Sequence, residues 1–217
     1  GADFAFAGSS SANTIHNQTK AGIVSSSITN PAAAVDVTAL NTGRIEALSG
    51  GAAVSGSVGV GLAVSVNRIG NTTEAYVDGS AVGTKYDIGN LKVNAIGENT
   101  IKSAAVGVGG GADVGVAGST ATNYNSSNTK AYITNGAVVK AQNNVGIIAK
   151  TDDKITNLAG AAGIGISAAG VGASVTVNVI SGDTQAYISG AGTKVSALAT
   201  GDAQTVDNGK LTGSVDL

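Results

Sequence analysis

Residues Gly163–Ile188 read GIGISAAGVGASVTVNVISGDTQAYI, and this stretch decides how the chain folds. It joins a run of Val, Gly, Ala and Ser that ends in Asn, a short polar turn, and a Thr-x-Ala-Tyr-Ile pentad. Further copies read GSVGVGLAVSVNRIGNTTEAYV at Gly56–Val77 and GADVGVAGSTATNYNSSNTKAYI at Gly111–Ile133. A degenerate copy occupies Ala5–Ile23, with Gly22 in place of the tyrosine. The chain is therefore built from an internal repeat.

The repeats are in phase over almost the whole chain. The asparagines that close the four runs are 54, 56 and 55 residues apart: Asn13, Asn67, Asn123 and Asn178. The alanines of the four pentads follow the same steps: Ala21, Ala75, Ala131 and Ala186. We expect one elongated unit over residues 1–217, with repeats at about 1–50, 51–105, 106–159 and 160–217. Val215-Asp216-Leu217 is expected to start the next Val-x-Val segment, equivalent to Val35-Asp36-Val37.

The apolar pattern within each repeat has a period of two, which is typical of a half-buried strand. From Val54 to Val66 the even positions are mostly Val or Leu and the odd positions are Gly, Ala or Ser. In the last copy the phase slips near Ser167–Gly170, which predicts a bulge or a corner. Pro31, the only proline, is expected to stop strand pairing where it lies.

These patterns predict an all-β fold, and we favour a right-handed parallel β-helix (β-solenoid) of ~55-residue repeats. One period could form two coils of about 27 residues. The right hand follows from the general preference for right-handed crossovers. The alternative is a solenoid of antiparallel hairpins, in which Val58–Asn67 would pair with Thr72–Val77 across a turn.

Composition narrows the function classes. The chain has 33 Gly, no Cys, Met or Trp, a net charge of −2, and only 12% charged residues. Without a basic stripe, nucleic acid is not an expected partner. No run of 18 large apolar residues occurs, so direct membrane insertion is not expected either.

Two aligned sets of residues are candidate sites. Asn13, Asn67, Asn123 and Asn178 could face a ligand, or could form a structural ladder of stacked amides. Tyr76, Tyr132 and Tyr187 are candidate ligand-contacting residues that could bind sugar rings, or could pack between strands. We favour the structural interpretation for both sets.

Other motifs predict less. Sequons begin at Asn17, Asn71 and Asn125, which are candidate glycosylation sites if they lie on surface loops. The one acidic pair, Asp152-Asp153, would be needed in a polysaccharide-degrading enzyme, but a solvated turn explains it as well. His16 is the only histidine. We therefore expect no catalytic residue, no metal site, no cofactor and no enzymatic activity.

The strings SVTVNVI (Ser174–Ile180) and TQAYI (Thr184–Ile188) resemble repeats of very large bacterial surface exoproteins, as do LAVSVNRI, TEAYV and TKAYI. These are filamentous-haemagglutinin-like and leukotoxin-type filamentous adhesins, secreted by the type V route. The resemblance implies an extracellular or cell-surface stalk of stacked β-coils with a structural and adhesive role. The implied partners are flanking repeats of the parent protein and a receptor or glycan on a host or neighbouring cell.

Overall fold

Strands make up all of the regular structure in the part of the chain that is described. The computed structural model describes residues 3–29, 33–84, 87–198, 204–207 and 210–213. Pro31 and Val215–Leu217, for which the sequence makes predictions, lie outside these residues. No helix long and apolar enough to cross a membrane occurs in the described part.

The strands, in chain order, are β1 (Phe4–Ile15), β2 (Gln18–Val24), β3 (Ser27–Ile28), β4 (Ala34–Ser55), β5 (Val58–Ile69), β6 (Thr72–Asp78), β7 (Ala81–Val82), β8 (Ile88–Gly111), β9 (Val114–Asn125), β10 (Asn128–Thr134), β11 (Val138–Gly165), β12 (Ala169–Ile180), β13 (Asp183–Ile188), β14 (Lys194–Ala197), β15 (Gln204–Asp207) and β16 (Lys210–Gly213). Strands β15 and β16 form a separate antiparallel pair.

The first fourteen strands form three parallel sheets. Sheet A has the order β1-β5-β9-β12, and sheet B has the order β13-β10-β6-β2. Sheet C contains the long strands β4, β8 and β11 side by side, together with β3, β7 and β14. Each repeat contributes one strand to sheet A and one to sheet B, so that neighbours in space are whole repeats apart in sequence.

The pairing register is the register of the sequence repeat. Asn13 pairs with Asn67, Asn67 with Asn123, and Asn123 with Asn178. The hairpin alternative is wrong, because β5 pairs with β1 and β9 rather than with β6. The half-repeat coil is also wrong, since the pairing step is the full period. The long strands explain this difference: β4 is 22 residues long, which the alternation alone did not distinguish from two short strands.

The Gly/Val run buries the face opposite to the one that hydrophobicity suggests. In β5 the residues Gly59, Gly61 and Ala63 are buried, whereas Leu62 and Val64 are exposed. The same holds in β8, where Gly107 and Gly109 point inward and Val106 is exposed. Small residues rather than valines therefore line the interior in this part of the fold.

Close contact between two backbones explains the inward glycines. A Cβ atom added at Gly61 would lie 1.9 Å from the carbonyl oxygen of Val108, and one added at Gly109 would lie 1.9 Å from that of Val116. Real Cβ atoms do not approach a carbonyl this closely. Sheet A and the second halves of the long strands thus form two layers so close together that only glycine and other small residues fit between them.

The main hydrophobic core lies elsewhere, between sheet B and the first halves of the long strands. It includes Val77, Val82, Leu91, Val93 and Ile133, all of which are fully buried. A smaller cluster of Ile45, Ile69 and Ile101 closes the interior nearer sheet A. The interior therefore changes along each repeat, from large aliphatic side chains at one end to glycine at the other.

One corner uses the left-handed backbone conformation in every repeat. A residue with positive φ follows each strand of sheet B, directly after β2, β6 and β10 and two residues after the end of β13: Ser25 (45°), Gly79 (54°), Asn135 (56°) and Gly190 (93°). Glycine and asparagine tolerate this region better than other residues, so the corner sequence suits its geometry.

A different corner, predicted near Ser167–Gly170, is confirmed, because β11 ends at Gly165 and β12 begins at Ala169.

The glycine contacts lead to a stability prediction. We expect Gly61→Ala to lower the free energy of unfolding by roughly 1–3 kcal/mol or more, because the layers must move apart. The matched control is Gly160→Ala in β11, where an added Cβ meets nothing within 4 Å. That control should be neutral or stabilising by up to ~1 kcal/mol, because it only restricts the unfolded chain. Urea unfolding followed by circular dichroism measures both, and equal effects would contradict the close-packing argument.

Candidate functional site

The aligned asparagines form a continuous ladder of amide hydrogen bonds inside the fold. The Nδ2 atom of each asparagine donates to the Oδ1 atom of the next, at 2.9 Å in all three steps: Asn13 to Asn67, Asn67 to Asn123, and Asn123 to Asn178. Asn67 and Asn123 are fully buried. Their amides bond to one another and to neighbouring polar side chains, which is the geometry of a structural ladder.

Other polar side chains connect this ladder to both layers. Asn67 Nδ2 also donates to Ser65 Oγ (3.0 Å), which in turn accepts from Ser11 Oγ (3.1 Å). From sheet C, Asn157 Nδ2 donates to Asn178 Oδ1 at 3.2 Å. The ladder therefore aligns neighbouring repeats and also joins sheet A to the long strands.

A second buried polar cluster lies on the far side of the isoleucine cluster. Asn71 Nδ2 donates to Asn99 Oδ1 at 2.7 Å, and Asn99 Nδ2 donates to Ser127 Oγ at 3.0 Å. The same Nδ2 also donates to Asp153 Oδ1 at 2.8 Å. The aligned repeats did not predict this cluster. The spacing of 28 residues between Asn71 and Asn99, close to half a repeat, was the only sequence feature that could have indicated it.

The acidic pair does not form a catalytic arrangement. Asp152 and Asp153 lie within strand β11, not in a turn as predicted. Because successive strand residues point to opposite faces, Asp153 turns inward to Asn99 and Asp152 is exposed on the outer face. The described residues contain no group of three or more His, Asp or Glu side chains that could hold a metal ion.

The sequons occupy two different places in the repeat. Asn17 lies beside Asn71, and the backbone N–H of Asn17 donates to Asn71 Oδ1 at 2.9 Å. Asn125, however, pairs with Ile69, so it lies two residues before the position that is equivalent to Asn71. The side chains of Asn71 and Asn125 are both buried. Only Asn17 of the three is exposed in the folded chain, so the expectation that all three lie on matching surface loops is wrong.

The three tyrosines form a stack on the outer face of sheet B. The ring centroids of Tyr76 and Tyr132 are 5.2 Å apart with an interplanar angle of 8°, and those of Tyr132 and Tyr187 are 5.2 Å apart at 5°. All three side chains are half-buried. Both faces of the Tyr132 ring are covered by its neighbours. A sugar ring could therefore stack only at an end of this file or contact the ring edges.

In the first repeat the tyrosine stack ends on a glycine. Gly22 occupies the tyrosine position there and pairs with Tyr76. A Cβ atom at Gly22 would lie 2.5 Å from Cε2 of Tyr76, so the Tyr76 ring lies over the glycine backbone. The tyrosine-to-glycine departure in the degenerate repeat thus makes room for the ring of the next repeat.

Charged side chains border the tyrosine stack. Lys20 Nζ lies 2.9 Å from Glu74 Oε2, and Lys130 Nζ lies 3.8 Å from Asp183 Oδ2. The hydrogen bond to Glu74 raises the pKa of Lys20. Burial raises the pKa of Tyr132 to about 12, and the negative charge of Glu74 adds to the rise. The surface carries charges of both signs, with Lys20 and Lys130 beside Glu74, Asp78 and Asp183.

An open pocket of about 340 Å³ lies on the outer face of the long strands. Its lining includes Leu48, Ala104 and Leu158 in one row, with Glu46 and Lys102 beside them. Glu46 lies between two exposed cations, since it pairs closely with Arg44 and lies 4.0 Å from Lys102. Ser103 in the lining donates its Oγ hydrogen to Asn157 Oδ1 at 2.9 Å, and His16 lies away from this pocket, between β1 and β2.

Comparison of the chain with protein-family models, with curated proteins and with solved structures finds no match. The geometry of the described residues therefore carries the functional argument. That geometry consists of an internal amide ladder and an external tyrosine stack, both aligned along the direction in which the repeats stack, and a second internal polar cluster that joins the long strands to the turns before sheet B.

The amide ladder leads to a prediction with its own pH control. Asn67→Asp would place a carboxylate against Asn123 Oδ1 and remove the donor. We expect a loss on the order of 3 kcal/mol in the free energy of unfolding at neutral pH. Burial should raise the pKa of the new carboxyl above its unfolded value of about 3.9. Its protonated form restores a donor, so the penalty is smallest below the unfolded pKa and grows as pH rises through the folded pKa.

The measurement is the difference in unfolding free energy between variant and parent chain at each pH. The matched control is Gln18→Glu, the same amide-to-carboxylate change at an exposed position of β2. A penalty for Asn67→Asp that does not change with pH would contradict the ladder as the cause.

The tyrosine stack predicts an alkaline limit to stability. Because the folded pKa of Tyr132 is raised to about 12, its phenol stabilises the fold fully below the unfolded value of about 10. That contribution is lost as pH rises from about 10 through about 12. The free energy of unfolding of Tyr132→Phe should therefore fall less over this range, relative to its own value at about pH 9, than that of the parent chain. Circular dichroism during alkaline titration tests this, with Tyr124→Phe as the control outside the stack; identical curves for both variants would count against it.

Proposed function

We propose that the chain is a right-handed parallel β-helix (β-solenoid) segment of a bacterial secreted or cell-surface filamentous adhesin, and that it acts as a stalk. The observation that carries the proposal is the repeat-to-repeat register. Each repeat adds one strand to sheets A and B and one long strand to sheet C, in the same alignment over the first three repeats. A unit that repeats in this way can extend a molecule by adding more units.

Reach and rigidity follow from different parts of the repeat. Each added repeat lengthens the stack by about 4.8 Å, the spacing of hydrogen-bonded strands. Rigidity comes from the aliphatic core between sheets B and C, from the two buried polar clusters, and from the close contact of the glycine layers. The expected partners are therefore the flanking repeats of the parent protein. Contact with a receptor or glycan on a host or neighbouring cell is a property of the parent molecule.

The site geometry supports a structural rather than a catalytic role. The aligned polar residues satisfy one another inside the fold, and the tyrosines stack on one another outside it. Side chains used in this way contribute to cohesion between repeats. The proposal accordingly assigns no catalytic residue, no metal and no cofactor, and it places the segment outside the cell.

Deletion of one repeat tests the proposal. Removing residues 51–106 joins Gly50 to Gly107, which stands at the position of Gly51 in the pairing register. We expect the shortened chain to keep its β-sheet circular dichroism signal per residue and to unfold cooperatively. Its free energy of unfolding should be lower, because one of the three interfaces between the four strands of sheet A is lost.

The matched control is a deletion one residue longer. Removing residues 51–107 joins Gly50 to Val108, which turns every following side chain to the opposite face. That variant should not fold. If the in-phase deletion also fails to fold, the repeats are not independent stacking units and the stalk proposal is wrong.

A further inference from the structure

The outer face of sheet A is mostly apolar, although Thr120 and Thr122 of β9 lie between the outward valines of β5 and β12. Its outward residues include Phe6, Leu62, Val64, Val175 and Val177, which are between 38% and 62% exposed. Ten of the large hydrophobic side chains that are exposed in the described residues point from this face. Such exposure is uncommon, since contiguous apolar patches on monomers are typically about 300–600 Å² at most.

The face is large enough for a stable interface. Its four strands β1, β5, β9 and β12 are each 12 residues long. With a rise of about 3.3 Å per residue and a strand spacing of about 4.8 Å, it spans roughly 40 Å by 19 Å. This footprint, on the order of 760 Å², matches the ~800 Å² that each partner buries in a standard protein interface.

The chemistry of the face selects the kind of partner. Among its outward residues only Arg68 is charged, and Arg68 lies near the end of its strand. A nucleic acid or an acidic peptide would need a basic surface. Binding to the surface of a membrane usually draws on several basic residues and on Trp, and the chain has no Trp. A mostly apolar sheet face with a single charge near its border fits best against another apolar sheet face.

We propose that this face of sheet A binds the same face of a second copy of the chain. Two sheets that pack face to face lie about 10 Å apart with interdigitating side chains. The outward valines of β5 and β12 would then fill the space between the copies. This side-by-side association is distinct from stacking along the strand edges, and it does not depend on the chain being part of an adhesin.

The opposite surface is less suited to this role. The outer face of the long strands consists of three strands, and Glu46 and Lys102 interrupt it. It nevertheless carries well-exposed apolar residues, of which Val54 is 80% exposed. Val54 therefore provides a matched control for a charge placed on an exposed valine of the molecule.

Sedimentation velocity from about 1 to 200 μM tests the proposal on the full chain. We expect the parent chain to form dimers, and the double variant Val64→Glu with Val175→Glu to have a dissociation constant raised at least tenfold. Val54→Glu should behave as the parent chain does. A parent chain that is monomeric throughout would overturn the proposal. Association lost in Val54→Glu but kept in the double variant would also overturn it, as would association unaffected by any variant, which indicates edge-to-edge stacking.

A cysteine variant gives a second measurement if the charged variants fail to fold. The chain has no Cys, so Val64→Cys can form a disulfide only between copies. We expect cross-linked dimers on mild oxidation of Val64→Cys and far fewer with Val54→Cys. Equal cross-linking of both variants would overturn the proposal. A monomer that instead floats with phosphatidylcholine vesicles would overturn it as well, and would identify lipid as the occupant.

Discussion

The whole structure depends on parallel hydrogen bonding between residues that are one full repeat apart. This pairing stacks equivalent positions of successive repeats directly on one another, so each residue must be compatible with its own copies. Asparagine meets that requirement because its amide is both donor and acceptor, and the interior ladder from Asn13 to Asn178 uses both groups. Tyrosine meets it by ring stacking, and glycine meets it by leaving space. All three residue types can therefore occupy positions that stack directly on their own copies.

A second constraint, the close approach of sheet A to the long strands, explains why valine lies outside and glycine inside in one part of the fold. Burying a valine side chain would gain about 1.5–3 kcal/mol. At Gly61 or Gly109, however, even a Cβ would collide with the opposite backbone. The close approach of two backbones gives many small dispersion contacts across the layers. Steric exclusion therefore wins over hydrophobicity at these positions, and the valines remain on the outer faces.

Stability and surface properties are consequently divided along each repeat. The end beneath sheet B has an aliphatic core of ordinary kind, with Leu91, Val93 and Ile133 fully buried. The glycine end contributes little side-chain burial and instead exposes two apolar faces. Such repeats cohere along the stacking direction and present apolar side chains on their outer faces. The polar clusters between the two ends hold the register, because a shift of one residue would leave buried amides without partners.

Much of the architecture was present in the sequence. The spacing of Asn67, Asn123 and Asn178 determined the repeat and its phase, and period-two alternation determined that the repeats form strands. The spacing did not select the pairing register, because coils of half a repeat and antiparallel hairpins also fitted it, and the full-period parallel pairing was decided by the tertiary structure. The sequence could not say which face of an alternating strand is buried, since alternation has the same period on both faces. Only the tertiary structure decided that, by bringing a second backbone so close to Gly61 that no side chain fits between them. It also decided the partners of Asn99 and Asp153, because their contacts cross from one sheet to another and depend on where the long strands turn back.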